Sequence, residues 1–172
     1  MAATVTPLLT KFTGATSTTS DCEATTDWSG SPVLDTINNL ENLGCLSKKV
    51  SNSLLTLVYT LGSSFDFTVA GHTHIYVWCM VTTLGKLESR ENGGIRIRCE
   101  GATTSDFKEW YVGGKTVGGK PDYPGGWKCF VVDTTKTPDR SGGTVNLNSV
   151  PKVGVGFIMI GRARKPLASA WG

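Results

Sequence analysis

The most apolar stretch of this chain is residues 71–83, GHTHIYVWCMVTT. Successive side chains of a strand point to opposite faces, so Val77 and Cys79 share one face, and Tyr76 and Trp78 share the other. A strand with one wet face alternates apolar and polar residues, whereas residues 75–81 are apolar on both faces. The pattern therefore predicts a central strand whose second face is covered by loops, a ligand or another chain.

Shorter segments alternate cleanly between apolar and polar residues, which is typical of strands with one buried face and one wet face. In residues 95–100 (IRIRCE), the side chains of Arg96, Arg98 and Glu100 oppose an apolar face, and we expect them on the wet side. The other segments of this kind are 55–61, 65–69, 107–112, 127–133 and 153–160.

Glycine-rich sequences separate several of these segments and predict turns between them. The Gly62-Ser63 pair predicts a turn between 55–61 and 65–69, and Asn92-Gly93-Gly94 is a strong hairpin signal. In the last segment, Gly154 and Gly156 lie opposite the apolar face, which predicts that another group approaches the backbone there. Residues 33–46 fit either strand–loop–strand or a short helix, and we favour the former because the asparagines at 38, 39 and 42 are poor helix formers.

Strands at intervals of about ten residues, with glycine turns and scarce helical periodicity, predict an all-β sandwich or barrel. We place this domain at residues 27–160. Residues 1–26 are rich in Thr, Ser and Ala and predict an extended N-terminal arm, and residues 161–172 form a basic C-terminal arm. Leu8 and Phe12 in the first arm, and Arg162, Arg164 and Trp171 in the second, are predicted to contact neighbouring subunits.

The composition of the chain argues against several classes of function. The chain has 172 residues, a formal net charge of +3 and 18% charged residues, which gives no concentrated basic stripe for nucleic acid. The longest apolar runs are too short for a membrane span, and we expect no secretory signal in the first residues. The five cysteines form no CxxC pair, so we expect reduced, buried thiols made in a reducing cytoplasm.

The residues with catalytic or metal-binding chemistry form no familiar constellation. His72 and His74 are the only histidines, and Asp66 is the nearest third ligand, but a metal site needs further ligands that the sequence does not offer. We therefore expect no metal and no cofactor. Neither histidine has an evident Ser or Cys partner for nucleophilic catalysis.

Aromatic residues near glycine-rich loops are candidates for binding a sugar. Trp110, Tyr111, Tyr123 and Trp127 could stack on sugar rings, with Asp122 supplying hydrogen bonds. The alternative is that Trp110 and Trp127 are inward core residues, since large aromatics dominate cores. We favour the core interpretation for these two tryptophans.

The order of segments resembles that of a known family. The segments that carry the resemblance are D-W-S-G at 27–30, G-C-L-S-K-K-V at 44–50, the aromatic strand at 75–81, G-G-I-R-I-R-C at 93–99, E-W-Y-V-G-G at 109–114, G-G-W-K-C-F-V-V-D at 125–133 and V-G-V-G-F at 153–157. Together they resemble the concanavalin A-like or laminin-G-like jelly-roll domains of tailed-bacteriophage virion structural proteins.

The resemblance implies a jelly roll of two antiparallel sheets in a non-enzymatic virion protein, such as a decoration, neck, tail or fibre component. The implied partners are further copies of the chain and other virion proteins, after synthesis in the host cytoplasm. The alternative is a carbohydrate-binding module or receptor-binding domain that uses the aromatic loop rim. Glucanase relatives of this fold place alternating carboxylates on one strand, and residues 75–81 contain none, so we expect no hydrolase activity.

Overall fold

The computed structural model describes residues 3–8, 25–35, 45–50, 54–81, 87–116 and 126–159. The regular structure of these residues is β-strand throughout. The strands are β1 (Ala3–Leu8), β2 (Val33–Asp35), β3 (Cys45–Val50), β4 (Leu54–Phe65), β5 (His74–Val81), β6 (Ile95–Glu100), β7 (Phe107–Gly113), β8 (Lys128–Asp133), β9 (Arg140–Gly142) and β10 (Val150–Ile158). Within this part of the chain there is no helix that could cross a membrane.

The strands form two antiparallel sheets. The first sheet has the order β2-β3-β1-β5-β8, and the second has the order β4-β10-β6-β7-β9. Every pairing between these strands is antiparallel. The prediction of an all-β, antiparallel, two-sheet protein is therefore confirmed.

One hydrophobic core takes side chains from both sheets. The first sheet contributes Ile75 and Val77 of β5 and Phe130 of β8, while β6 and β10 of the second sheet contribute residues such as Ile97 and Phe157. These side chains alternate along their strands, so each sheet turns one apolar face toward the other. The result is a sandwich-like packing of two layers.

The predicted turn at Gly62-Ser63 is wrong. Strand β4 continues through these residues to Phe65, and its ladder with β10 is irregular there. Thr60 pairs with Lys152 and Phe65 pairs with Val150, so four residues of β4 lie opposite one residue of β10. The glycine and serine therefore form a bulge, a feature that bends a strand without ending it.

The N-terminal residues differ from the expected arm. Ala3–Leu8 form β1, which lies between β3 and β5 in the first sheet, with Val5 opposite Val81 and Leu8 opposite Trp78. The first sheet therefore begins well before residue 27. A Thr- and Val-containing segment with few large side chains can still pair through its backbone, because the ladder bonds join main-chain groups.

Residues 33–46 show strands at both ends of the segment, as the strand–loop–strand interpretation expects. Strand β2 pairs antiparallel with β3, and Val33 lies opposite Ser47. The loop between the two strands, residues 36–44, lies outside the described residues.

Candidate functional site

Strand β6 is buried on both faces, including the face predicted to be wet. Ile95, Ile97 and Cys99 point into the core, and the opposite face carries the charged residues of the strand. On that face the side chain of Arg96 is 1% exposed, and that of Glu109 on the adjacent β7 is 0% exposed. The expectation that Arg96, Arg98 and Glu100 face solvent is therefore wrong.

These four residues form what we call the charge network: Arg96, Arg98, Glu100 and Glu109. The Glu109 carboxylate lies between two guanidinium groups, with Oε2 3.2 Å from Arg96 Nη1 and Oε1 3.0 Å from Arg98 Nη1. Arg98 Nε lies 2.7 Å from Glu100 Oε1. This last contact lacks hydrogen-bond geometry, so it is an attraction between charges and not a directed bond.

The strand register explains why these groups meet. Arg98 of β6 lies directly opposite Glu109 of β7, and opposed residues of an antiparallel pair point to the same face. Arg96 and Glu100 flank Arg98 at a spacing of two residues and so share its face. The four charges, two positive and two negative, therefore collect on the outward side of the central strand.

Gly156 of β10 makes room for Arg96. The two residues are paired across β10 and β6, and a Cβ atom at Gly156 would lie 2.5 Å from Arg96 Nε. The predicted close approach to the backbone at this glycine is thus made by an arginine of the same chain. The guanidinium also reaches Thr56 Oγ1 of β4 at 3.5 Å through Nη2, while its buried Nε has no hydrogen-bond partner in the described part.

The loop at residues 101–106 lies over the other end of the charge network. Arg98 Nη2 donates to the Thr104 carbonyl, and Lys152 Nζ donates to the Ala102 carbonyl at 3.2 Å. Two guanidiniums lie near the Phe107 ring, with Arg98 Cζ 4.2 Å and Arg140 Cζ 5.2 Å from the ring centroid. These contacts help to cover Arg98 and hold the loop to the sheet.

Burial shifts the pKa values of two members of the charge network. Desolvation raises the pKa of Glu100 above its usual value, although the charges of Arg98 and Lys152 act in the opposite direction. Desolvation lowers the pKa of Arg96; the Glu109 charge opposes this shift, and the Arg98 charge adds to it. Both shifts are those expected when charged groups lose water and are only partly compensated by their partners.

The predicted sugar-binding residues are not brought together as one surface. Trp110 points into the core, is 5% exposed and donates from Nε1 to the Lys136 carbonyl at 3.0 Å. It is an inward core residue, as the alternative interpretation proposed, so its ring offers no open face for a sugar. Tyr111 is half-buried on the opposite, outward face, because it pairs with Arg96.

Trp127 is half-buried and packs against the core from the residue before β8. Asp122 and Tyr123, the other two predicted sugar-binding residues, lie outside the described residues.

The predicted assembly residues lie mostly outside the described part of the chain, which applies to Phe12, Arg162, Arg164 and Trp171. Leu8 is the exception, since its backbone ends β1.

The histidines and Asp66 make local contacts with neighbouring residues. The Asp66 carboxylate accepts from the Thr68 amide at 2.8 Å and from its hydroxyl at 2.6 Å, and these bonds lower the pKa of Asp66. His72 lies beside the Phe65 ring, and His74 Nδ1 lies 3.0 Å from the Thr73 hydroxyl. The described residues contain no group of three or more His, Cys, Asp or Glu side chains placed to hold a metal ion.

Three cysteines in the described residues are free thiols. Burial raises the pKa of Cys79 far above its ordinary value and raises the pKa of Cys99 to about 12. The pKa of the half-buried Cys129 is also raised by desolvation. A thiol with a raised pKa is a poor nucleophile at neutral pH, so these side chains act as small apolar groups.

Comparison with known proteins adds no family to these observations. No protein-family model matches the sequence, and no curated protein matches it.

Proposed function

We propose that this chain is a non-enzymatic structural protein of a virion, which works by assembling with other proteins. The observation that carries the non-enzymatic part of the proposal is the charge network. The residues that could perform acid–base chemistry there, Glu100 and Glu109, are buried and paired with arginines of the same sheet. Both carboxylates therefore interact with side chains of the same chain and not with a substrate.

The arrangement of carboxylates supports a role without catalysis. A glycoside hydrolase needs two carboxyl groups that flank an open site for the sugar. Glu109 lies between the guanidiniums of Arg96 and Arg98, and the half-buried Asp66 and Asp133 accept hydrogen bonds from the hydroxyls of Thr68 and Thr135. In the described part of the chain these carboxylates therefore serve structure.

The surface supports a role in contacts with other proteins. Large apolar side chains in the described residues are well exposed at five places: Val33, Leu34, Leu54, Val69 and Val131. They lie on both sheets, on strands and on a connecting loop. Exposed apolar side chains at several places are available for contacts with more than one neighbour, although singly scattered residues of this kind also occur on monomeric proteins.

The finer architecture belongs to the same proposal. We infer that the two five-stranded sheets are the halves of a jelly roll, which the family resemblance implies and the all-β, two-layer packing supports. In this view residues 161–172 reach a neighbouring subunit through Arg162, Arg164 and Trp171. The part of residues 1–26 that follows β1 reaches a neighbour through Phe12.

The proposal is tested by co-sedimentation of the purified full-length chain with capsid and tail preparations of its phage. We expect the wild-type chain to co-sediment, and expect Trp171→Ala combined with Arg162→Ala to reduce the bound fraction while leaving the unfolding transition unchanged. Thr137→Ala, a change of an exposed loop residue, is the matched control. A folded, monomeric chain that binds neither preparation contradicts the proposal.

The rival function, carbohydrate binding, now depends on Tyr111 and Trp127, the predicted aromatic residues that are described and half-buried. A glycan array with wild-type protein and Trp127→Ala separates the two functions. Specific binding that is lost in a folded Trp127→Ala variant favours the carbohydrate-binding role, and the absence of binding favours assembly.

A further inference from the structure

One edge of the second sheet is occupied by a short, strained segment. Strand β4 is the outermost strand in the order β4-β10-β6-β7-β9, and residues 25–31 pack on its edge. We call these residues the strap. Ser29 N donates to the Val58 carbonyl at 2.8 Å and Thr60 N donates to the Asp27 carbonyl at 2.9 Å, on either side of a bridge between Trp28 and Tyr59.

The strap cannot extend this pairing in either direction. Asp27 has φ 65°, Gly30 has φ 87° and Ser31 has φ 51°, all in the left-handed region that a strand does not use. For Asp27 and Ser31 this backbone conformation is strained. Trp28 anchors the strap with a ring that is 8% exposed and 5.2 Å from the Tyr59 ring.

The strand beneath the strap is nearly symmetric in sequence. Residues 55–61 read LTLVYTL, and the reversed order is LTYVLTL, with Val58 at the centre of both. If two copies of β4 paired antiparallel about Val58, Thr56 would lie opposite Thr60 and Leu57 opposite Tyr59. Each pair joins side chains of like character on the same face, which is the kind of cross-strand pairing that stabilises sheets.

The backbone geometry of β4 agrees with this register. The Val58 carbonyl and the Thr60 amide already point to the free edge, since the strap bonds to both. The Thr56 carbonyl also faces that edge, because a Cβ atom at Gly30 of the strap would lie 2.7 Å from its oxygen. These are the groups that an antiparallel partner centred on Val58 would use.

We propose that the strap is a displaceable cover over a homodimerisation edge, and that its replacement by β4 of a second copy joins two second sheets across a two-fold axis at Val58. With the strap in place, the edge is blocked at the centre of the pairing register. With the strap displaced, each copy gains a full antiparallel ladder, and its strained residues relax. The proposal stands apart from the virion role and names a contact between copies of this chain alone.

The test loosens the strap at Gly30, an exposed position, and substitutes no residue of the hydrophobic core. Gly30→Ala places a methyl group against Thr56 O and Leu57 in a backbone conformation that disfavours any side chain. Gly62→Ala is the matched control on the same sheet edge, because nothing lies within 4 Å of its Cβ position. By sedimentation velocity, we expect Gly30→Ala to dimerise with a dissociation constant about tenfold lower or more, because weakening the closed state raises the dimer-competent fraction.

The register is tested by cross-linking. Hydrogen-bonded partners in an antiparallel ladder have Cα atoms about 5.5 Å apart, within disulfide range, so Val58→Cys in the Gly30→Ala background should form a disulfide between the introduced thiols of two copies. Thr60→Cys should not, because two copies of residue 60 would lie about 13 Å apart along the strands. Peptide mass spectrometry distinguishes this bond from those of the native cysteines.

Three outcomes contradict the proposal: a folded Gly30→Ala variant as monomeric as Gly62→Ala, equal cross-linking through Val58→Cys and Thr60→Cys, or equal cross-linking through Val58→Cys with and without Gly30→Ala. If Gly30→Ala loses its cooperative unfolding transition, Ser29→Pro replaces it. That change removes the N–H that binds the Val58 carbonyl and leaves the core side chains in place.

Discussion

Strands β5 and β6 use their outward faces in opposite ways. Three of the outward side chains of β5 are aromatic or apolar, Tyr76, Trp78 and Met80, and they remain half-buried. The outward side chains of β6 are charged, and Arg96 and Glu100 are among the most buried polar groups of the described residues. Apolar character alone therefore does not decide which face of a strand is covered.

The outward faces of β5 and β6 differ because the two strands have different positions in their sheets and different residues on the neighbouring strands. Strand β6 is the central strand of the second sheet, and its neighbours supply a carboxylate at Glu109 and space at Gly156. A buried charge is tolerated when a counter-charge and hydrogen bonds replace water. The outward face of β5 has no such arrangement in the described residues, and the exposed Val131 of β8 lies beside Tyr76.

Removing the shared carboxylate should produce the largest effect. Glu109→Gln removes the counter-ion of the buried Arg96 guanidinium and leaves Arg98 with Glu100 alone, and we expect the free energy of unfolding to fall by about 3–5 kcal/mol. Urea denaturation measures the change, with Glu91→Gln, at an exposed position, as the control. A loss within the range of ordinary surface changes, about 0.5 kcal/mol, would show that the charges are not buried in solution.

Filling the space at Gly156 should produce the next largest effect. Gly156→Ala forces a methyl group against Arg96 Nε, and overpacking of this kind costs about 1–3 kcal/mol. Thermal unfolding compares it with Gly62→Ala, where a methyl group meets open space. Equal stability of the two variants would be inconsistent with an arginine lying on this glycine.

The pH dependence of the free energy of unfolding should reveal the raised pKa of Glu100. Its pKa is raised in the folded protein relative to 4.5, so the folded state binds this proton more tightly than the unfolded chain does. The resulting stabilisation is fully present below pH 4.5 and is lost as the pH rises through the folded pKa. Wild type should therefore gain stability relative to Glu100→Gln on acidification toward pH 4.5, as measured by urea denaturation at several pH values.

The same comparison separates Glu100 from the surface carboxylates. Asp66 and Asp133 have lowered pKa values, so their contribution runs the other way and is lost as the pH falls. It is common to both proteins and cancels in the difference. A stability difference between wild type and Glu100→Gln that does not vary with pH would contradict the assignment.

The smallest effect is expected on the outward face of the first sheet. Val131 is 47% exposed on β8, and we expect Val131→Thr to change the free energy of unfolding by less than about 0.5 kcal/mol. Urea denaturation makes the measurement beside that of Glu109→Gln. A large loss at Val131 would mean that the first sheet carries a covered outward face like that of the second.

Much of the fold could be predicted from local pattern. Alternation correctly placed β6, β7, β8 and β10 to within a few residues, because one face of each strand packs in a shared core. The glycine at 156 correctly indicated a close approach to the backbone. The Gly62-Ser63 pair predicts a turn where the structure has a bulge, since a glycine beside a serine suits either structure and the partner strand decides between them.

The charge network could not be predicted from the same patterns. Arg96, Arg98 and Glu100 alternate with apolar residues as a wet face does, and their partner Glu109 lies on another strand. Only the pairing of β6 with β7 and β10 brings counter-charge and space to these arginines. The feature that indicates a buried charge network is a combination of three strands. The central strand, β6, carries charges, β10 places glycines opposite them, and β7 places an acidic residue opposite them.

The most direct test of the central claim, that these charges form an internal structural unit, is a double-mutant cycle between Arg98 and Glu109. We expect Arg98→Met to cost less in the Glu109→Gln background than in wild type, with a coupling of about 1–3 kcal/mol in the free energy of unfolding. Additive effects of the two substitutions, with no coupling, would contradict the account.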